Sequence, residues 1–195
     1  MSLATTSPSL VDRMMRAAKL QVPLYEEVEA DTTATTQALT VVVIVAVASA
    51  IGQALAATIG GQAAGTLVGR LIGGLLNALI GWAIWSYVIY FVGTRFFGGT
   101  ATYGELLRTL GFAESPSVLL ILSFVPVVGG ILALVVGIWT IVASFIATRQ
   151  ALDLDNTKTF LAILVGFIAL IIVLFAVALI VGLIFGAGAA VGRLF

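Results

Sequence analysis

Long uncharged apolar runs, separated by short polar ones, set the organisation of this chain. Four stretches hold no charged residue: Thr32 to Gly69, Leu71 to Thr94, Ser115 to Thr148 and Thr159 to Gly192. Each exceeds the roughly 20 residues that a helix needs to cross about 30 Å of hydrocarbon. In lipid the backbone must satisfy its own polar groups, and the runs lack the alternation of membrane β-strands, so helices are the remaining solution.

The first run predicts a span over about 38–59, closed by Gly60 and Gly61, with Gln62 to Gly69 as a glycine-rich connection. The second predicts a span over 71–92, with Trp82, Trp85, Tyr87 and Tyr90 toward its far end, where amphipathic rings favour the headgroup interface. The last predicts a span over 159–185, long enough to tilt.

The third run is different, because 34 residues are too many for one comfortable crossing. Pro126, Gly129 and Gly130 break it, leaving 131–147 as a fourth span. The piece from Pro116 to Val128 rises only about 20 Å as an α-helix, too short alone. A helix starting at the capping-box pair Thr102 and Glu105 supplies the rest. The expected third element therefore covers 103–128 and is broken near 111–116, with Gly111 and Pro116 at the break and Glu114 beside it.

Orientation follows from Lys and Arg in the short loops. Five crossings starting inside put Arg13, Arg16, Lys19, Arg95, Arg108, Arg149 and Lys158 on the inner side and only Arg70 and Arg193 on the outer. The prediction is an all-α, multi-pass integral membrane bundle of five helices, with a cytoplasmic N-terminus and an outer C-terminus. Residues 1–36 form a cytoplasmic segment and 37–195 the membrane domain.

Composition narrows the chemistry. The chain is 61% hydrophobic and 9% charged, against about a quarter charged in soluble domains. Its charges cancel, which leaves no basic field for nucleic acid. With no cysteine and no histidine it lacks disulfides, thiolates, imidazole bases and the usual zinc or haem ligands, so neither an enzyme nor a cofactor is expected.

Ser7 and Pro8 offer a helix start after which Leu10, Val11, Met14, Met15 and Ala18 gather opposite Arg13, Arg16 and Lys19. Such a basic amphipathic helix fits an anionic membrane surface, a protein partner at the cytoplasmic face, or an anchor under the bundle. Glu26, Glu27, Glu29 and Asp31 follow as a solvated helix start.

Gly61, Gly65, Gly69, Gly73, Asn77 and Gly81 recur every four residues, as do Ala46, Ala50 and Ala54. That spacing lets another backbone approach, within the chain or in self-association. Glu114, Arg108, Glu105 and Asn77 are the polar candidates for a site. Glu114 either caps the helix at Pro116, pairs with Arg108, or lines a substrate path in a broken helix.

The order Gly98-Gly99, Tyr103, Glu105, Leu106, Leu107, Gly111-Phe112-Ala113, Pro116, Pro126, Gly129-Gly130, Trp139 and Arg149 resembles the Yip-domain family, five-span membrane proteins that interact with Ypt and Rab GTPases. The resemblance extends back through Met14 to Gln37, as in prokaryotic-type members. It implies a five-helix membrane fold with a cytoplasmic N-terminus, and for eukaryotic members roles in trafficking and membrane shaping. The Asp-Leu-x-Gly-Pro motif of eukaryotic members is not found here, which points to a prokaryotic-type protein of a cell inner membrane. The leading expectation is a non-enzymatic organiser of bilayer or partner proteins. The alternative is a small homo-oligomeric channel or transporter that uses the broken third helix.

Overall fold

The computed structural model describes residues 8–61 and 67–191, without the side chains of 67, 70 and 183–191. Arg193, Gly65 and most of the expected glycine-rich connection lie outside the described residues. Within them, seven α-helices and one 3-10 helix run in the order α1 (Leu10–Ala18), α2 (Val22–Ala30), α3 (Ala34–Ile59), α4 (Leu67–Phe96), α5 (Tyr103–Ala113), the 3-10 helix (Ser115–Phe124), α6 (Val128–Leu152) and α7 (Asn156–Val191). Five apolar segments are long enough to cross a membrane: Ala34–Ile59, Leu71–Phe96, Tyr103–Phe124, Val128–Leu152 and Asn156–Gly182. Each of the other four expected spans lies inside one helix, and the helices run beyond it by a turn or so at one or both ends.

The run Val41 to Val45 is β-branched throughout, yet it is helical, because a membrane-spanning segment has to close its own backbone hydrogen bonds. α3 is the central helix: Ala38, Val41, Val42 and Val45 are buried in it. Gly52 lets the 3-10 helix approach backbone to backbone, since an added Cβ would collide with the Leu120 and Ile121 carbonyls. α7 lies at the periphery and exposes Ile172, Phe175 and Leu179, a surface that only lipid or another apolar helix can cover.

The third element changes helix type near Pro116, but Gly111 has no part in the change. Gly111 is inside α5 and buried against Ala38, which a side chain would strike at 2.8 Å. The glycine therefore serves close packing, not a break. The change of helix type falls at Glu114 and Ser115, with Pro116 in the first turn of the new helix. Ten residues of 3-10 helix rise about 2 Å each, roughly 20 Å in all against about 15 Å for an α-helix. The looser rise lets α5 and the 3-10 helix together span the membrane.

Gly129 and Gly130 also lie within a helix, in the first turn of α6. The reversal is made just before them. Val127 has φ 65 and ψ −52, and the Val128 N–H donates to the Pro126 carbonyl at 2.7 Å, which is a γ-turn in its strained form. A β-branched residue is poorly suited to that backbone. Val127→Gly is expected to raise stability by about 1 kcal/mol, the relief of strain exceeding glycine's entropic penalty. Thermal unfolding in mild detergent measures it.

The starts of α3, α5 and α7 and the ends of α4 and α6 meet at one face. There the Thr100 N–H donates to the Leu152 carbonyl at 3.3 Å and its hydroxyl donates to Asp153 at 2.6 Å. The helix pair α1–α2 is packed into this same end.

Candidate functional site

Two features of this face gather polar side chains: the seat of the N-terminal helix pair, and a carboxylate-lined cavity in the bundle above it.

The seat begins with local signals. Ser9 caps α1 by accepting from the Asp12 N–H at 3.2 Å, and Pro23 opens α2. α1 does not lie on a membrane surface as a free basic helix. Arg13 is only 2% exposed, and its guanidinium donates to Glu27 at 2.9 Å, Gln37 at 3.0 Å and Asp31 at 2.8 Å. Arg16 donates to the other Glu27 oxygen at 2.7 Å. The acidic cluster is thus partly a binding site for α1, not simply a solvated helix start. Leu10, Met14 and Ala17 face inward with Arg13, while Val11 and Met15, on the same face in the sequence pattern, are 63% and 52% exposed.

α2 is fastened from the membrane side. Arg108, 6% exposed, donates from Nε to the Val28 carbonyl at 2.8 Å and from a second nitrogen to the Glu29 carbonyl. These are among the last carbonyls of α2, which no intrahelical N–H satisfies, and a cation there also suits the helix dipole. Trp139 of α6 donates its indole N–H to the Ala18 carbonyl at 2.8 Å, and Gln150 donates to Glu26 at 2.8 Å. The pair is therefore part of the bundle's core: Tyr25 packs with Ala143 and Ala147 of α6.

Burial pushes the Glu29 carboxyl up to about 7, helped by the neighbouring charges of Asp153 and Glu105. A carboxyl that holds its proton more tightly in the folded chain favours folding at low pH. That contribution fades as pH rises from the ordinary 4.5 to about 7. Glu27 and Asp31 act oppositely. Burial raises Glu27, but hydrogen bonds from Arg16 and Arg13 outweigh it, and hydrogen bonds from Thr33 and Arg13 hold Asp31 low. Their contribution disappears only in more acidic solution. Stability is thus expected to decline between pH 5 and pH 7.5, and Glu29→Gln to flatten that decline, as read by melting temperature across the range.

Glu105 closes the capping box at the start of α5, accepting from the Thr102 N–H at 2.8 Å. Glu114 does not pair with Arg108, whose guanidinium points to α2 instead. Its carboxylate accepts from the Ser117 hydroxyl at 3.4 Å, and Ser117 is 3.0 Å from the Thr140 hydroxyl. Glu114 lines a cavity of about 260 Å³ together with Val42, Trp82, Trp85 and Ser144. Trp82 and Trp85 are thus part of the bundle rather than an interfacial belt, and the Trp82 indole donates to the Leu107 carbonyl at 3.1 Å. Tyr87 instead meets the Tyr103 ring edge-on, and Tyr90 meets it at a tilt.

Asn77 sits apart on an exposed face of α4, with Gly73 and Gly81 one turn to either side and open space beside both. Ala46 and Ala50 are buried within the chain, so that stripe serves internal packing. Sequence reasoning missed Trp139 and Gln37 as fastenings of α1. An indole or an amide within an apolar run is a weak but usable signal, since each has a hydrogen bond to satisfy.

Five apolar spans, no strand among the described residues and a helix pair keyed into one end define a multi-pass helical membrane protein. The sequence model of the Yip1 domain matches residues 24–190, nearly the whole bundle from α2 onward, and the chain belongs to that family. Neither the curated proteins nor the solved structures gave a match.

Proposed function

We propose that this Yip1-domain protein is a non-enzymatic organiser of the bilayer or of partner proteins, presenting α1 and α2 at the cytoplasmic face of a prokaryotic inner membrane. The observation that carries this reading is the seat of the helix pair. Arg13, Arg108 and Trp139 fix it rigidly to the spans, while Val11 and Met15 are left facing outward. A rigid, apolar-tipped platform tied to a membrane anchor suits recognition. The Lys and Arg bias toward this face supports the cytoplasmic assignment.

Self-association through the open Gly73 and Asn77 face of α4 belongs to the same reading. Photo-crosslinkers at Val11 and Gly73 in native membranes test it. Specific adducts with a partner or a second copy are the expected result, and monomeric, adduct-free protein from both positions would overturn it.

A second reading, a small channel or transporter, is favoured by Glu114 beside the break in the third element. Glu114→Gln in proteoliposomes decides it: a flux that is unchanged by the substitution removes the reading.

A further inference from the structure

We propose that the Glu114 cavity and the groove beside it form a binding site for a single-chain amphiphilic organic cation, with the ammonium head at Glu114 and the hydrocarbon tail between α6 and α7. This goes beyond an organising role and does not depend on it.

The head site is argued from what surrounds the carboxylate. Eleven residues of α5 carry Glu114 about 16 Å along the third span from Tyr103. An acidic side chain so placed is costly in lipid unless it is paired. None of the ion pairs among the described residues includes it, and Ser117 is a weak partner at 3.4 Å. The cavity has room for a small group at about 260 Å³.

The lining decides which cation suits it. A hard metal ion takes about six oxygen ligands. Besides the carboxylate, the side chains lining this cavity offer one hydroxyl oxygen, that of Ser144. They do offer two indoles, Trp82 and Trp85, and aromatic faces attract alkylammonium groups strongly once these leave water. Carboxylate plus indoles is a set of groups for an organic ammonium.

The tail site adjoins the head site, with Trp85 and Ser144 lining both. The groove has a volume of about 700 Å³ and is walled by Leu120 and Ile141 on one side and Phe160, Leu164 and Phe167 on the other. It is apolar apart from a few hydroxyls such as Thr140 and Thr148 on α6. A linear hydrocarbon chain matches such a wall, and each methylene buried contributes about 0.8 kcal/mol.

The test uses dodecylamine with a photoactivatable diazirine on its chain, added to the full-length protein in liposomes. The expected result is saturable labelling of α6 and α7 in the groove, competed by plain dodecylamine and at least tenfold less by dodecanol. Glu114→Gln, isosteric and able to keep the Ser117 contact, should weaken labelling tenfold or more. Gly81→Leu keeps the carboxylate but fills the cavity from a position with open space around it, and should also weaken labelling. Labelling unaffected by Gly81→Leu, or equal competition by the alcohol, overturns the proposal even if Glu114→Gln does not fold.

Discussion

Arg108→Met is expected to release the N-terminal helix pair from the bundle. The substitution preserves an unbranched apolar stem but leaves the Val28 and Glu29 carbonyls at the end of α2 without their donor. Each unsatisfied buried carbonyl costs about 1–3 kcal/mol, and the favourable charge at the helix end is lost as well. A loss of about 3 kcal/mol follows, concentrated at the contact between α2 and α5. The readout is protease cleavage between α2 and α3 in mild detergent, where the wild-type linker from Asp31 to Thr33 is short and held by the Asp31 side chain. Rapid clipping of the variant with the spans still folded is the predicted outcome, and unchanged protection would mean that Arg13, Trp139 and Gln150 suffice to hold the pair. Arg108→Lys should rescue only in part, because a single ammonium cannot hold both carbonyls in the fork geometry of a guanidinium.

Gly52→Leu should produce the largest loss within the spans. Its α-carbon is so close to the 3-10 helix that a Cβ meets the backbone carbonyls of Leu120 and Ile121 and the hydroxyl of Ser123. Backbone on both sides cannot turn away as a flexible side chain can, so the helices must separate along their contact. Overpacking typically costs 1–3 kcal/mol, and this site belongs near the top, at about 3 kcal/mol. Thermal unfolding by tryptophan fluorescence measures the change. Gly182→Leu, with open space around it on the peripheral α7, is the matched control and should leave the melting temperature nearly unchanged.

These two residues also mark where the sequence was legible and where it was not. The spans could be read because more than 20 consecutive residues without a charge have few other uses. The capping box at Thr102 and Glu105 was legible because both partners lie within one turn. What could not be read depends on contacts far along the chain. Arg108 finds the Val28 carbonyl 80 residues away, and a carbonyl acceptor carries no residue identity that a sequence could display.

Gly111 was read as a break because glycine interrupts helices in general, whereas its reason is Ala38 on another helix. α1 shows the same limit. Its alternating faces are equally consistent with an apolar face in lipid and with Arg13 buried, and the decision came from Glu27, Asp31 and Gln37, supplied by α2, α3 and the linker between them. The rise of the 3-10 helix was hidden because its composition is that of any apolar span. Glu114 stood out in the sequence as an isolated acid beside a proline, but its surroundings come from α3, α4 and α6 and had no local trace.

The central claim is that the chain passes through the bilayer five times, with α1, the α4–α5 connection and the α6–α7 connection on one side and the remaining connections on the other. Because the chain contains no cysteine, single cysteines can be introduced without background. Impermeant maleimide labelling of sealed vesicles at Ser9, Thr157, Gly60 and Val127, all exposed positions, is the direct test. The account predicts that Ser9 and Thr157 react from one side and Gly60 and Val127 only from the other. Reaction of Val127 and Thr157 from the same side would contradict it.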